Sequence, residues 1–161
     1  MKLYKTVENE IHYWETWDIN EKKGATNTGL IGKEGDYKEI KSGLLSNFRK
    51  TIQKEIDKHC ADGFHEVDIE QHYTLLIEFS VDRMGTEQDV EKRTRLQDHM
   101  NEMLGWNGLG HCDGGSIGSG TMEVCCFVID FEIAKNVIEK NLKETEFSDY
   151  LRIYDEEQEA E

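Results

Sequence analysis

The clearest pattern in the chain is the alternation over residues 73–81, where Tyr73, Leu75, Ile77, Phe79 and Val81 fall on one side of an extended strand. The longest apolar run, Val124–Ile129, has the length of a buried strand and sits in a predicted strand over Met122–Ile129. Between these two strands, Thr86-Glu87-Gln88-Asp89 reads as a capping box with aspartate at the position usually held by glutamate. A helix follows as far as Leu104, with Leu96, Met100, Met103 and Leu104 as its buried stripe. A short strand is predicted over Gly108–Asp113 and a loop over Gly114–Gly120. Asp130 caps the next helix, whose stripe is Ala134, Val137, Ile138 and Leu142. Tyr150–Tyr154 makes a last strand, and residues 155–161 form an acidic tail expected to be disordered.

This β-α-β-β-α-β order is the ferredoxin-like arrangement, in which both helices cover one side of the sheet. If Met122, Val124, Cys126 and Val128 face the helices, then Leu76, Cys125, Phe127 and Ile129 face the other way. A sheet face this apolar calls for a cover, from the N-terminal module or from a second copy of the chain.

The first half is rich in aromatic and β-branched residues. Residues 2–20, with Tyr4, Tyr13, Trp14, Trp17 and Ile19, read as extended, and Asn20–Gly24 as a polar turn. Residues 25–41 carry Gly29, Gly32 and Gly35 and predict short strands with tight bends. A helix follows, capped by Ser42 or Ser46, with Leu44, Leu45, Phe48, Ile52 and Ile56 on one face and its end at Ala61-Asp62-Gly63. Trp14 and Trp17 are three apart in a strand and so point to opposite faces: one enters the core, and the other marks a surface or an inter-module contact. The expected modules are residues 1–69, residues 70–154 and the tail 155–161, with a junction near Asp68–Gln71 and no Pro/Gly/Ser linker to hold the modules apart.

The first module resembles the WGR domain. The stretches that carry the likeness are His12–Trp17, Thr28–Gly35 and Ala61–Val67. Gly29, Ile31, Gly32, Gly35, Gly63, Glu66 and Val67 match the family pattern, and Phe64 replaces its tyrosine. Thr28 and Leu30 stand where the signature tryptophan and arginine belong. The resemblance implies a β-rich scaffold and, by analogy with poly(ADP-ribose) polymerases, contact with DNA through that region. Thr28 and Leu30 offer neither the aromatic platform nor the guanidinium that such contact uses. The second module is similar to small bacterial ferredoxin-like modules with an Asp-Gly-x-x-Ile-Gly-Ser-Gly loop, here Asp113–Gly120, which implies a fold and no chemistry. The fold class expected is therefore α+β, a WGR-like β-rich N-terminal module packed on a ferredoxin-like βαββαβ module.

Charge narrows the partners. The net charge is -15; residues 1–70 hold 11 basic and 14 acidic side chains and residues 71–161 hold 8 and 20, so most of the excess lies in the second half. Attraction to phosphate backbones is disfavoured and a basic protein partner is favoured. The only basic cluster is on the first-half helix, where Lys50, Lys54 and Lys58 are spaced four apart, with Lys41 and Arg49 nearby. No stretch approaches the apolar length of a membrane span, and the N-terminal residues lack the apolar run of a secretion signal. The expectation is a cytosolic protein whose four cysteines, Cys60, Cys112, Cys125 and Cys126, are reduced.

Candidate chemistry is sparse. The glycine-rich loop can be read as an anion nest, giving His111, Asp113, Gly114, Gly115, Ser116, Gly118, Ser119 and Gly120 as candidate ligand-binding residues, although no lysine follows as in a P-loop. The alternative is a structural turn between two strands. His111 and Cys112 would project to opposite faces of a strand, so a nucleophile–base pair needs another histidine, such as His65 or His72. There is no Cys-x-x-Cys or His-x-x-x-His, and His59, Cys60, His65 and His72 are scattered, so no metal or other cofactor is expected. The sequence thus points to a non-catalytic interaction or regulatory protein of the bacterial cytosol, such as an inhibitor-type antitoxin, that binds a basic protein partner or associates with itself. A nucleic-acid-associated WGR relative using Lys50, Lys54 and Lys58 is one alternative. An enzyme or small-ligand binder using the Gly114–Gly120 loop is the other.

Overall fold

The computed structural model describes residues 1–44 and 46–159, with only the backbone of Glu159. It is an α+β protein with two four-stranded antiparallel sheets and, among the described residues, four helices. The chain divides into two compact units. The first is Met1–Asp68 together with Trp106–Gly108; the second is Ile69–Gly105 together with the residues from Leu109 onward.

The sheet of the first unit is a meander in the order β1 (Lys2–Val7), β2 (Glu10–Asn20), β3 (Lys23–Leu30) and β4 (Asp36–Lys41). The extended segment predicted over residues 2–20 is broken by a two-residue hairpin turn, Glu8-Asn9, with both residues at positive φ. That is the backbone a tight antiparallel hairpin requires, and Asn tolerates it better than Glu. The helix α1 (Phe48–Ala61) lies across one face of this sheet, and Leu3, Trp14, Phe48 and Ile52 form a buried cluster with Ile40, Ile56 and Phe64 at its edge.

The helix begins later than the sequence pattern suggests. Asn47 holds extended backbone and is the cap, its side chain accepting from Arg49 N, while Ser42 Oγ accepts from Phe48 N. Leu44 therefore stands outside the helix and fully exposed, and Leu45 lies outside the described residues. Gly63, at φ +93°, turns the chain so that Phe64 reaches the cluster and His65 pairs with Tyr4 of β1.

In the second unit the strands β5 (Tyr73–Ser80), β6 (Gly110–Gly118), β7 (Thr121–Val128) and β8 (Arg152–Asp155) lie in the order β6-β7-β5-β8. The segments around Leu75 and Val124 are neighbours, with Leu75 opposite Cys126 and Ile77 opposite Val124. Strict alternation in β7 buries Met122, Val124, Cys126 and Val128. They share the core with Leu96, Met100 and Leu104 of α2 (Glu87–Trp106) and with Ala134, Ile138 and Leu142 of α3 (Phe131–Leu142). The predicted capping box forms: Asp89 accepts from Thr86 N and Thr86 Oγ1, and Asp89 N donates to Thr86 Oγ1. Asp130 caps α3 through Ile133 N.

Three expectations are corrected in this unit. The segment Gly114–Gly118 is strand, not loop: a bulge between Cys112 and Gly115 absorbs the irregularity, and only Ser119-Gly120, both at positive φ, form the turn into β7. The tail is ordered through Glu159, since Asp155 is a buried residue of β8 and α4 (Glu156–Glu159) continues from it; Ala160 and Glu161 lie outside the described residues. Cys112 and Cys126 are not free thiols. They face each other across β6 and β7 with Cα atoms 3.9 Å apart, and their sulfurs are bonded, leaving Cys60 and Cys125 free.

Candidate interaction surface

The face of the first sheet turned away from α1 is built differently from its core face. Register places Glu15, Asn27 and Tyr37 in one row and Trp17, Ala25 and Glu39 in the next. Parity along β2 sends Trp14 inward, 2% exposed, and Trp17 outward, 37% exposed. Tyr37 is 43% exposed and Trp106 39%. These three rings touch one another: Trp17 to Tyr37 at 6.0 Å between centroids, Trp17 to Trp106 at 6.1 Å with edge-to-face planes, and Tyr37 to Trp106 at 5.7 Å.

A buried polar layer supports the rings. Trp106–Gly108 belongs to this unit and is held by its own carbonyls. Trp106 O accepts from the Tyr13 hydroxyl at 3.0 Å, Asn107 O from Gly32 N at 2.9 Å, and Gly108 O from the Tyr4 hydroxyl at 3.1 Å. Asn27, fully buried, donates through Nδ2 to the Tyr13 hydroxyl and to Glu15 Oε1, both at 3.1 Å. Its Oδ1 has no hydrogen-bond partner among the described residues and lies under the backbone of Gly35. Burial, then the Glu15 charge, pushes the Tyr13 hydroxyl up to about 12, and Glu34 and Asp36 add to the rise. Tyr4 is raised mainly by burial and Tyr37 by desolvation and Glu39. These tyrosines are neutral donors at physiological pH.

Ion pairs flank the surface. Glu15 pairs with Lys2 at 3.0 Å, and Glu39 pairs with Lys23 at 3.1 Å and Lys41 at 3.6 Å, which holds the Glu39 carboxyl below its usual range. Glu34 and Asp36 are exposed, close enough to act on Tyr13, and form no ion pair among the described residues.

The residues nominated from the glycine-rich segment do not converge on a cradle. His111 is exposed and its ring touches Phe127 at 5.6 Å; Asp113 is exposed on the bulge; Ser116 Oγ donates to Glu123 Oε2 at 2.8 Å. Gly114, Gly115 and Gly118 are strand residues, and Ser119 and Gly120 form the hairpin turn. Lys50, Lys54 and Lys58 do form an exposed ridge on α1.

The face of the second sheet opposite its buried Val124–Cys126 row carries a carboxylate pair that the sequence did not single out. Glu78 and Glu123 are directly opposite in register. Arg152 grips Glu78 through Nε and Nη2, at 3.2 and 2.8 Å, and the Tyr154 hydroxyl donates to Glu123 at 2.6 Å. Desolvation, then the bond to Glu123, raises the Tyr154 hydroxyl. Leu76 is buried there, and Cys125, whose thiol is raised by burial, is half-buried. The network satisfies itself, and a raised thiol is a poor nucleophile.

No group of three or more metal-ligating side chains occurs among the described residues, and none of their helices is long and apolar enough to cross a membrane. Comparison with protein-family models, curated proteins and solved structures finds no match to this chain.

Two members of the aromatic surface escaped the sequence reading. Tyr37 was masked by its glycine-rich context. Trp106 follows the apolar stripe of α2, where a third tryptophan beside a Gly-x-x-Gly segment was the available signal.

Proposed function

We propose that this chain is a non-catalytic interaction protein that takes up a basic segment of a partner protein on the aromatic face of its first unit. The single observation that carries the reading is the exposure of Trp17, Tyr37 and Trp106 as one contiguous patch. Exposed tryptophan and tyrosine lose much apolar area on contact and are enriched among residues that dominate binding energy. Of the net charge of -15, -12 lies in residues 71–161, so the charge that favours encounter with a basic surface is carried mainly by the second half. The strand order of the second unit supports a ferredoxin-like reading of that half, and the matching glycines and the Gly63–Val67 segment support a WGR-like reading of the first.

The test is a pull-down from lysate with wild type and with Trp17→Ala/Tyr37→Ala, at low and moderate salt. A basic protein should be retained by wild type, lost by the variant and weakened by salt. Recovery of no protein at either salt, or equal recovery by the variant, would overturn the reading.

A second reading rests on the exposed ridge of Lys50, Lys54 and Lys58, which would follow a phosphate backbone. Glu55 and Asp57 interrupt it. A gel shift at low salt that disappears in the triple lysine-to-glutamine variant would favour nucleic acid.

A further inference from the structure

The four sheet edges are closed to further strands in different ways. β1 is met by His65, which exchanges backbone hydrogen bonds with Tyr4 at 2.8 and 3.0 Å. β4 carries Asp36, Lys38, Glu39 and Lys41 among its six residues, and β8 is only four residues long. Charge and shortness both discourage strand addition. β6 has neither defence: it runs nine residues, with His111 and Asp113 as its only ionisable side chains. We infer that Asn101 and Arg93 of α2 form a clasp on this edge, and that the clasp keeps β6 from pairing with the β6 strand of a second copy of this chain.

Two hydrogen bonds make the clasp. Cys112 N donates to Asn101 Oδ1 at 3.2 Å, and Gly115 O accepts from Arg93 Nη1 at 3.3 Å. One lies on each side of the bulge between Cys112 and Gly115, and each takes a backbone group that a further strand would otherwise engage. The spacing matches: eight residues of helix rise about 12 Å and three of strand about 10 Å, so α2 sets both side chains over both groups. Arg93 is not drawn off by a carboxylate. Its neighbours Lys92 and Arg95 pair with Asp149 and Glu146, whereas Arg93 forms no ion pair among the described residues, and its Nε is buried there without a hydrogen-bond partner.

A second copy is the occupant because the edge is complementary to itself. In an antiparallel pair, the N–H of one residue meets the C=O of the residue opposite. A two-fold axis passing between Cys112 and Gly115 sets the Cys112 N–H of each copy against the Gly115 C=O of the other, which are the two groups that α2 now holds. The register of β6 on β7 turns Cys112 and Gly115 to the same side of the sheet, with Cys126 and Val124, so that pairing keeps like faces together.

The experiment measures the mass of the full chain in solution by sedimentation, with Cys60 and Cys125 alkylated so that no bond forms between copies. Wild type should be a monomer and Asn101→Ala/Arg93→Ala a dimer, with circular dichroism confirming the fold. Asn101→Asp/Arg93→Lys, which keeps an acceptor and a donor in place, should stay a monomer. Excess peptide of residues 110–118, carrying Cys112→Ser, should dissociate the dimer and should not bind wild type. Hydrogen exchange reads the clasp itself: at a dilution where Asn101→Ala is monomeric, its Cys112 amide should exchange about tenfold faster than that of wild type. Should the double variant not fold, each single variant is read in the same way. A folded variant that stays monomeric, a wild type that is itself a dimer, or a Cys112 amide no faster in Asn101→Ala would overturn the inference. A dimer that the peptide leaves intact would overturn it too, by placing the contact away from β6.

Discussion

At Gly35 the backbone passes over the Tyr13 hydroxyl and Asn27 Oδ1 so closely that a methyl group has no room: an added Cβ would collide with both and stand 2.9 Å from Thr28 O. Gly35→Ala should destabilise the protein by about 1–3 kcal/mol, the usual range for forcing atoms into a filled interior, seen as a lower denaturation midpoint. Glycine at this position was legible in the sequence as a bend. Its real role, letting the chain close over a buried amide, depends on partners eight and twenty-two residues away and leaves no local trace. His59 gives a second prediction. Its ring lies between Trp14 at 5.0 Å and Phe64 at 4.9 Å, and burial lowers its pKa below 6.5. The unfolded chain therefore binds this proton more readily than the folded one. The His59 contribution is full above the unfolded value and is lost as pH falls through it toward the depressed folded value. Chemical denaturation between about pH 7.5 and 5 should show His59→Phe losing less stability on acidification than wild type.

Among the elements, those with a clean period were the most readable. β7 alternates buried and half-buried positions and α3 carries its apolar residues at helical spacing, because each has one face toward a core and one away, whereas β5 is buried on both faces from Leu75 to Phe79. The elements that misled are those where backbone geometry overrides side-chain pattern. Glu8-Asn9 makes a hairpin without glycine, and β6 runs through Gly114–Gly118 because a bulge accommodates residues that otherwise signal a loop. The pairing of Cys112 with Cys126 follows from the register on the near side of that bulge, which spacing along the chain cannot reveal. Alkylation of the denatured, unreduced protein should modify two cysteines, Cys60 and Cys125, and all four after reduction, read by mass spectrometry. With a sequence separation of 14, the bond should contribute about 3 kcal/mol, so reduction should shift the unfolding midpoint down measurably.

For the whole molecule, composition and charge restricted the plausible partners, and the α+β class with its two antiparallel sheets followed from the order of periodic segments. The aromatic surface was half legible: parity predicted that one of Trp14 and Trp17 would face outward, but nothing local assigned Trp106 to the same face. The reason is that the first unit is discontinuous in sequence, taking three residues, Trp106–Gly108, from far along the chain. A polypeptide ended at residue 68 would thus be a different object from the unit it seems to encode. Its Tyr4 and Tyr13 hydroxyls would be deprived of the carbonyls that receive them, and its recognition patch would be short of one ring. Excision at that point severs what the fold treats as one piece.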